Sequence, residues 1–396
     1  MSTTLNISKE IEKMVPQVQQ WRRYLHENPE LSYKEYSTSD YVYSQLMSFG
    51  NLEVTRPTKT SILATLKGDL PGKCLALRAD MDALPIQEET NLPFASKVPN
   101  VMHACGHDGH TSMLLGAAKI LTELKHLLKG EIRFIFQHAE EVFPGGAKEM
   151  VAAGVIEGVD QIVGLHLFSM LPTGKIGICS GPITANSDTF DLEIVGKGGH
   201  SSQPQDSINP ILIGSQITNL LHQIVPQKVD AKERAVIAVT EFSAGSAKNI
   251  IPDRSFLGGS VRTFSQDVRE LIAKQIEIQA KNFTAVHGAD YKFEYNYGYS
   301  SVVNDKQLTA SIENIIKENI GPEYLLHIDP IMGGEDFSAF LTQVPGVFIG
   351  IGAAFEDESL NYPHHHPKFA IDEDSLAVGL KVLVHTALSM NDKGGS

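Results

Sequence analysis

Residues 74–82 read Cys-Leu-Ala-Leu-Arg-Ala-Asp-Met-Asp, a short apolar run that ends in two aspartates. A second run of this kind, Ile-Arg-Phe-Ile-Phe at 132–136, leads into His138-Ala-Glu140-Glu141. Between the two runs, residues 108–123 have the pattern of a helix, and Asp108 suits its N-terminus. Alternation of buried strands with helices predicts an α/β fold with a largely parallel sheet.

The loop that opens this helix is rich in side chains that bind metals: His103-Ala-Cys105-Gly-His107-Asp108-Gly-His110. Thiolate, neutral imidazole and carboxylate are the usual ligands of divalent transition ions. In a pair such as Glu140 and Glu141, one carboxylate can bind the metal while the other takes a proton from water. Loop and pair together predict a hydrolytic metal centre.

Two further histidines follow, His166 in Ile162-Val-Gly-Leu-His166-Leu and His365 in Tyr362-Pro-His-His365-His-Pro367. All the donor clusters follow predicted strands or open helices, and ligands of open α/β sheets gather beyond the carboxyl ends of strands. Other interpretations stay open: Cys105 as a buried thiol or a nucleophile, His166 as a core histidine, and the histidine run as a surface loop. Asp80 and Asp82 either orient a ligand histidine or serve a turn.

Length and composition indicate the number of domains, the kinds of binding partner and the cellular location. A chain of 396 residues with 42% hydrophobic content is too long for one ordinary core, so we expect two domains. The formal net charge of −14 and the lack of a basic run argue against nucleic acid and membranes, which leaves small molecules or peptides. We expect a cytoplasmic protein from three observations: the chain has only three cysteines, residues 1–23 contain no signal-peptide core, and no apolar run is long enough to span a membrane.

The pattern of elements changes in the middle of the chain. Strand, helix, strand, strand, helix and strand are predicted at 189–195, 210–225, 235–242, 256–263, 268–287 and 291–297. This is the ferredoxin-like order, and it contains none of the metal-donor clusters. We therefore expect residues 186–298 to form an inserted domain that shapes access or makes subunit contacts. It would interrupt a catalytic domain formed by 1–185 and 299–396.

A series of motifs spans nearly the whole chain: Arg22-Arg-Tyr-Leu-His26-Glu-Asn-Pro29-Glu30-Leu31, Arg78-Ala-Asp80-Met-Asp82-Ala-Leu-Pro85, the Cys105/His107 loop, His138-Ala-Glu140-Glu141, Gly199-His200-Ser-Ser, Gly333-Gly-Glu335-Asp336-Phe337 and the His365 loop. In number and order they resemble the M20 metallopeptidase and amidohydrolase family, in the branch of aminoacylases, hippurate hydrolases and auxin-conjugate hydrolases. The resemblance implies a catalytic domain with a central mixed sheet flanked by helices, and an inserted ferredoxin-like lid or dimerisation domain.

The resemblance also assigns roles to residues. It implies that a pair of metal ions is bound by Cys105, His107, Glu141, His166 and His365. Glu140 would be the general acid and base, and His200 would donate to the oxyanion, from a neighbouring subunit. Asn249 and Arg262 would hold the substrate carboxylate. By their local sequence alone, Asn249 also suits a turn, Arg262 an exposed strand position, and 198–200 a loop.

This chain departs from the wider family, where a histidine and an aspartate commonly hold the first ligand positions. Here Asp80 and Cys105 stand in those motifs, which leaves the bridging ligand and the metal occupancy open. Thiolate and imidazole favour zinc, while the carboxylates keep manganese, cobalt or nickel open. The predicted function is hydrolysis of N-acyl amino acids or short peptides by metal-activated water, in a homodimer or higher homo-oligomer. The alternatives are a di- or aminopeptidase and, from another class, a non-catalytic binding protein.

Overall fold

The computed structural model describes residues 2–390, and positions 1 and 391–396 lie outside the described range. The chain forms two compact units. The first is built from the residues up to Ile183, from Val302–Asp329 and from Asp336 onward. The second comprises Thr184–Ser301 and Pro330–Glu335. The insertion expected at 186–298 lies inside the second unit, which also includes the short segment before Asp336.

The elements within the described residues follow in chain order. The helices are α1 Ser2–Glu27, α2 Tyr36–Phe49, α3 His107–Glu123, α4 Gly146–Ala152, α5 Pro210–His222, α6 Ile224–Lys228, α7 Gln266–Val286, α8 Lys306–Asn319, α9 Ser338–Leu341 and α10 Ser375–Met390, with 3-10 turns at Lys125–Leu127, Pro204–Asp206, Pro322–Tyr324 and Glu358–Leu360. The strands are β1 Glu53–Thr55, β2 Ile62–Lys67, β3 Leu70–Asp80, β4 Lys129–Gln137, β5 Gln161–Pro172, β6 Ile176–Ile178, β7 Gly181–Pro182, β8 Asn186–Val195, β9 Gly199–His200, β10 Ala235–Ala244, β11 Ile250–Ile251, β12 Arg254–Thr263, β13 Asp290–Tyr299, β14 Val303–Asn304, β15 Leu325–His327 and β16 Gly346–Ala354.

An eight-stranded mixed sheet forms the first unit, in the order β1-β2-β4-β3-β5-β16-β6-β15. Its centre, from β4 to β16, is parallel. The second half of β3 is buried on both faces, because helices cover the sheet on both sides. One apolar core contains residues of α1, α3 and α10, and the other contains Met150 of α4 and Phe340 of α9. The predicted α/β class is confirmed.

Parallel pairing brings the functional motifs to one edge of this sheet. Asp80 at the end of β3 pairs with Gln137 at the end of β4. On the other side of β3, Arg78 pairs with Gly164 of β5, so His166 lies at the same level as Asp80. The loops that follow β3 and β4 therefore start close to His166.

The second unit has a four-stranded antiparallel sheet in the order β10-β12-β8-β13. Helices α5 and α7 pack on one face, and residues of β8 alternate between buried and more exposed. Asn209 caps α5 and Ser265 caps α7, since each side chain accepts a hydrogen bond from the first turn. The β-α-β-β-α-β order is present, although the predicted helix at 210–225 is divided into α5 and α6. No helix within residues 2–390 is both long enough and apolar enough to cross a bilayer.

Candidate metal centre

The tight turn into α3 places its first residue at the edge of the sheet. Gly106 precedes the helix with φ of 91°, a left-handed conformation that glycine adopts without strain. His107 is therefore the first residue of α3, with Cys105 two positions earlier. The donor atoms of Cys105, His107 and Glu141 lie within 4.8 Å of one another, although their segments are far apart in sequence.

The ring of His107 is oriented for a ligand. Its Nδ1 lies 3.0 Å from the main-chain oxygen of Asp82 and 3.2 Å from Oδ1 of the same residue. Because a carbonyl oxygen only accepts, Nδ1 donates in this contact, and in the neutral ring Nε2 presents a lone pair. That Nε2 is buried and has no hydrogen-bond partner among the side chains that the structure describes. A buried lone pair beside a thiol and a carboxylate fits a divalent transition ion.

The ring of His166 is also oriented by the main chain, with its Nε2 near the sulfur of Cys105. Its Nδ1 donates to the carbonyl oxygen of Leu167 at 2.9 Å, which leaves Nε2 unprotonated. This Nε2 lies 3.4 Å from the Cys105 sulfur. Both residues are buried. A thiol and an imidazole nitrogen that converge in this way provide two donors for one ion.

The histidine loop brings two residues to the centre. His365, at φ of 66°, places Nε2 3.2 Å from Oε1 of Glu141, and its side chain is 52% exposed. His364, which the sequence analysis did not single out, places Nδ1 3.8 Å from the Cys105 sulfur. Its Nε2 accepts from the Ser169 main-chain nitrogen at 3.4 Å, so Nδ1 of the neutral ring carries the proton.

Asp80 and Asp82 hold different histidines. Asp82 contacts the proposed ligand His107, whereas Asp80 lies 2.6 Å from Nδ1 of His110. His110 also accepts a hydrogen bond from the Leu167 main-chain nitrogen, so both of its ring nitrogens are engaged. A carboxylate that fixes an imidazole tautomer is the usual second layer of a metal site. His110 therefore binds the main chain of β5 at Leu167, although the sequence motif suggested that it could be a metal ligand.

Asp80 stays ionised because of a buried arginine. Burial alone would raise the pKa of Asp80, but the Arg78 guanidinium and the nearby histidines lower it well below its usual range. Arg78 donates to Asp80 at 2.6 Å and to Asp336 at 3.0 Å, and all three side chains are buried. This ion cluster joins the end of β3 to the segment before α9.

Burial raises the pKa of the Cys105 thiol well above its ordinary value, and the carboxylates of Glu141, Glu140 and Asp80 raise it further. Without a cation the sulfur is therefore a neutral thiol, and it is a poor nucleophile in that state. A metal ion supplies the positive charge that a thiolate needs here. The environment disfavours the cysteine-nucleophile interpretation and suits a ligand.

Glu140 and Glu141 follow β4 in a loop with an unusual backbone. Ala139 has φ of 48°, a left-handed conformation that a residue with a side chain rarely adopts. Glu140 is 7% exposed. His138, the first residue of the motif, lies outside the ligand set, since its Nε2 is 3.0 Å from Glu149 and its Nδ1 is 3.4 Å from Thr58.

The second unit carries His200, Asn249 and Arg262. The short pairing of β9 with β11 sets His200 opposite Ile250, and His200 and Asn249 line the same open pocket. Both side chains are exposed. Arg262 lies on β12, where its guanidinium donates to the carbonyl oxygens of Asp188 and Val261. Burial lowers the pKa of Arg262, while the negative charge of Asp188 acts in the opposite direction.

Sequence patterns named several buried residues near the start of α3 without indicating their contacts. Asp108 accepts from Arg22 at 2.9 Å and lies 2.9 Å from Nδ1 of His26, which ties the start of α3 to α1. His103 is buried, and neither ring nitrogen has a partner among the described side chains. The motif that contains Arg22 and His26 marked these positions, but their partner lies more than eighty residues away.

A model of peptidase family M20/M25/M40 matches residues 76–389 of the sequence. The chain belongs to this family. The family predicted from the order of the motifs is therefore confirmed, and so is the class of enzyme, a hydrolase. The match includes the segments of this M20 chain that carry Cys105, Glu140, His166 and His365.

Similar proteins cover most of this M20 chain. An N-acyl-L-amino acid amidohydrolase of Geobacillus stearothermophilus is 52% identical over 300 residues, which are 75% of this chain and 81% of that protein. Thermostable carboxypeptidase 2 of Saccharolobus solfataricus is 40% identical over 97% of each chain. The crystal structure of a Bacillus subtilis protein, described as a dinuclear metal binding peptidase from the M20 family, has a TM-score of 0.84 and 35% identity. That match covers 96% of this chain and 99% of the other.

Proposed function

We propose that the chain is a metal-dependent amidohydrolase that cleaves the amide bond of an N-acyl amino acid or a short peptide. One observation carries the proposal. The buried Nε2 of His107 has no partner among the described side chains, and it faces the donor atoms of Cys105 and Glu141 with Glu140 next in the chain. A hydrolytic site needs this combination of ligands and a spare carboxylate.

Two divalent ions would be held by the set Cys105, His107, Glu141, His166 and His365. Zinc suits the sulfur and nitrogen donors, and manganese, cobalt or nickel are the other candidates. When bound, the ions supply a Lewis acid and lower the pKa of a coordinated water. Asp82 orients His107, and Asp80 acts on the centre through His110.

Glu140 would accept the proton of the attacking water and return it to the leaving nitrogen. Its neighbour Glu141 contributes Oε1 to the ligand set, which divides the two tasks of the pair. From the second unit, His200 would donate to the developing oxyanion, and Asn249 with Arg262 would hold the substrate carboxylate. We propose that residues 186–298 form a lid and dimerisation domain in a cytoplasmic homodimer or higher homo-oligomer, interrupting a catalytic domain of 1–185 and 299–396.

The names of the similar proteins limit the range of candidate substrates. The amidohydrolase relative acts on N-acyl-L-amino acids, and the carboxypeptidase relative carries a peptidase name. Both names describe cleavage that leaves an amino acid with a free carboxylate, and a guanidinium such as that of Arg262 suits such a group. Peptide hydrolysis by the same centre is the second candidate, because the carboxypeptidase relative is 40% identical over 97% of the chain.

Metal analysis combined with a screen of N-acyl amino acids and dipeptides tests the proposal. We expect chelation to abolish hydrolysis and a divalent ion to restore it, with N-acyl amino acids the better substrates. Full activity in a metal-free preparation would contradict the metal centre. An acyl-thioester trapped on Cys105 would contradict its role as a ligand. Faster cleavage of dipeptides would favour the peptidase.

A further inference from the structure

We propose that Glu35 is a positioning residue that sets the backbone of the loop bearing the base, Glu140. The inference rests on the proposed role of Glu140. Glu35 lies between α1 and α2 and is fully buried. Its Oε1 accepts a hydrogen bond at 2.9 Å from the main-chain nitrogen of Ala139, the residue immediately before Glu140.

The carboxylate of Glu35 is itself held firmly. Oε1 also accepts from the main-chain nitrogen of Tyr33, and Oε2 accepts from the hydroxyl of Thr60, both at 2.9 Å. Thr60 precedes β2, which pairs with the end of β4 through Ile62 and Phe136. Glu35 therefore connects the start of α2, the start of β2 and the loop after β4. A buried acceptor with this many donors has little freedom to move.

The backbone at Ala139 needs such support. Its left-handed φ of 48° is strained for a residue with a side chain, and strain of this kind persists only where the surroundings enforce it. The carbonyl oxygen of Ala139 is also bound, because it accepts from the main-chain nitrogen of Gly146 at 2.8 Å. Gly146 has no room for a side chain, since a Cβ there would lie 1.9 Å from the carbonyl oxygen of His138.

A second carboxylate holds the other side of Glu140. The main-chain nitrogen of Glu141 donates to Oδ2 of Asp82 at 3.0 Å, and the Ser32 hydroxyl donates to the same oxygen at 2.7 Å. The nitrogens on both sides of Glu140 therefore bind buried carboxylates, and the segment between α1 and α2 takes part at each point. Asp82 is also tied to the proposed ligand His107, whereas the bonds of Glu35 run to Tyr33, Thr60 and Ala139. Glu35 acts on the base through the backbone.

Glu35→Leu tests this role, because leucine has nearly the same size and no acceptor. We expect kcat per metal-loaded site to fall on the order of 10-fold to 100-fold, which is typical when a catalytic group shifts slightly. KM and metal content should stay close to wild type, since neither the ligands nor the second unit is touched. Glu35→Gln should restore most of kcat, because the amide oxygen can still accept from Ala139 and Tyr33.

Thr60→Val is the matched control. It removes the bond to Oε2 and leaves the bonds from Ala139 and Tyr33 to Oε1, so kcat should fall much less than in Glu35→Leu. If Glu35→Leu does not fold, Glu35→Asp gives the same contrast with Glu35→Gln, because the shorter side chain withdraws the acceptor from Ala139. Wild-type kcat in the leucine or aspartate variant would overturn the inference. Equal losses for Glu35→Leu and Glu35→Gln, or a loss explained fully by missing metal, would also overturn it.

The failure of this inference can be told apart from failure of the proposed function. An inactive Glu140→Gln variant together with an unaffected Glu35→Leu variant removes only the role of Glu35. An active Glu140→Gln variant removes the base itself, and the role of Glu35 with it.

Discussion

Two buried clusters of charged side chains, one in each unit, differ in how completely their atoms are paired. In the second unit, the carboxylate of Asp188 accepts from Arg269, from the Tyr295 hydroxyl at 2.9 Å and from the Gly298 nitrogen at 2.8 Å. Arg269 also donates to the Ser300 hydroxyl and to the Gly298 carbonyl oxygen. The donors and acceptors of this cluster are used within the protein.

The cluster in the first unit is built from similar groups but is left incomplete. Asp82, Asp80 and the main chain satisfy the outer nitrogens of the histidines, while the inner Nε2 of His107 has no partner within the described side chains. An unpaired buried polar atom is costly, and this one lies within 4.8 Å of the donor atoms of Cys105 and Glu141, which fits a bound ion. An unpaired nitrogen beside other donor atoms, more than burial or charge, therefore distinguishes the candidate metal site from the ion cluster of Asp188.

The largest effect should come from Glu140, the proposed base beside the incomplete cluster. Glu140→Gln should lower kcat by about 10⁴-fold, because the amide cannot take the proton, and metal content should stay near wild type. Glu141→Gln is the control, and it should lower metal content as well because it removes a donor. Steady-state kinetics and metal analysis of both variants provide the check. Equal metal loss in the two variants would contradict the division of tasks.

Disrupting the fully paired cluster of Asp188 and Arg269 should lower the free energy of unfolding, with little effect on metal binding. Arg269→Leu leaves the Asp188 carboxylate buried without its cation, which should destabilise the second unit by about 3–5 kcal/mol. The bound metal should be retained, since the ligands belong to the first unit. The exposed pair of Arg254 with Glu193 is the control, and Arg254→Leu should change the urea unfolding midpoint little. Metal loss in Arg269→Leu with an unchanged unfolding midpoint would contradict the comparison.

His200 tests whether the second unit supplies a group to the chemistry of another subunit. Removing one oxyanion donor typically lowers kcat by about 10² to 10³-fold, so His200→Ala should show a loss of this order. If the donor acts in trans, hybrids of inactive Glu140→Gln and His200→Ala subunits should regain activity, since one complete site forms. The absence of recovery in verified mixed oligomers would remove the trans role.

Arg262 should have the smallest effect, and one that depends on the substrate. Arg262→Ala should lower kcat/KM for substrates with a free carboxylate by about 10-fold to 100-fold, the range of a hydrogen bond to a charged group. Amidated analogues of the same substrates should lose much less. Parallel assays of the acid and the amide measure the difference. Similar losses on both would argue against carboxylate recognition by Arg262.

Much of the fold, and the loops that carry the candidate donors, could be predicted from local sequence. The apolar run at 74–78 followed by Asp80 and Asp82 correctly indicated a buried strand, because a strand covered on both faces needs continuous apolar residues. The Cys105 loop indicated the start of α3 within one residue. These features are local, since side-chain type and spacing along a few residues determine them.

Contacts between distant segments decided the rest. Local sequence did not decide whether Asp80 and Asp82 orient a histidine or serve a turn. The structure shows that each one contacts a different histidine. The engagement of both nitrogens of His110 depends on Leu167, and the contact of Glu35 with Ala139 joins residues 104 positions apart.

The sequence by itself determined the α/β class, the family and the chemical types of the donors, because periodicity and motif order carry that information. Only the tertiary structure decided that the Nε2 of His107 has no hydrogen-bond partner among the described side chains, and that Glu35 and Asp82 bind the main chain on the two sides of Glu140. Hydrogen-bond partners depend on sheet register and loop geometry, and no pattern within a short stretch of sequence encodes them.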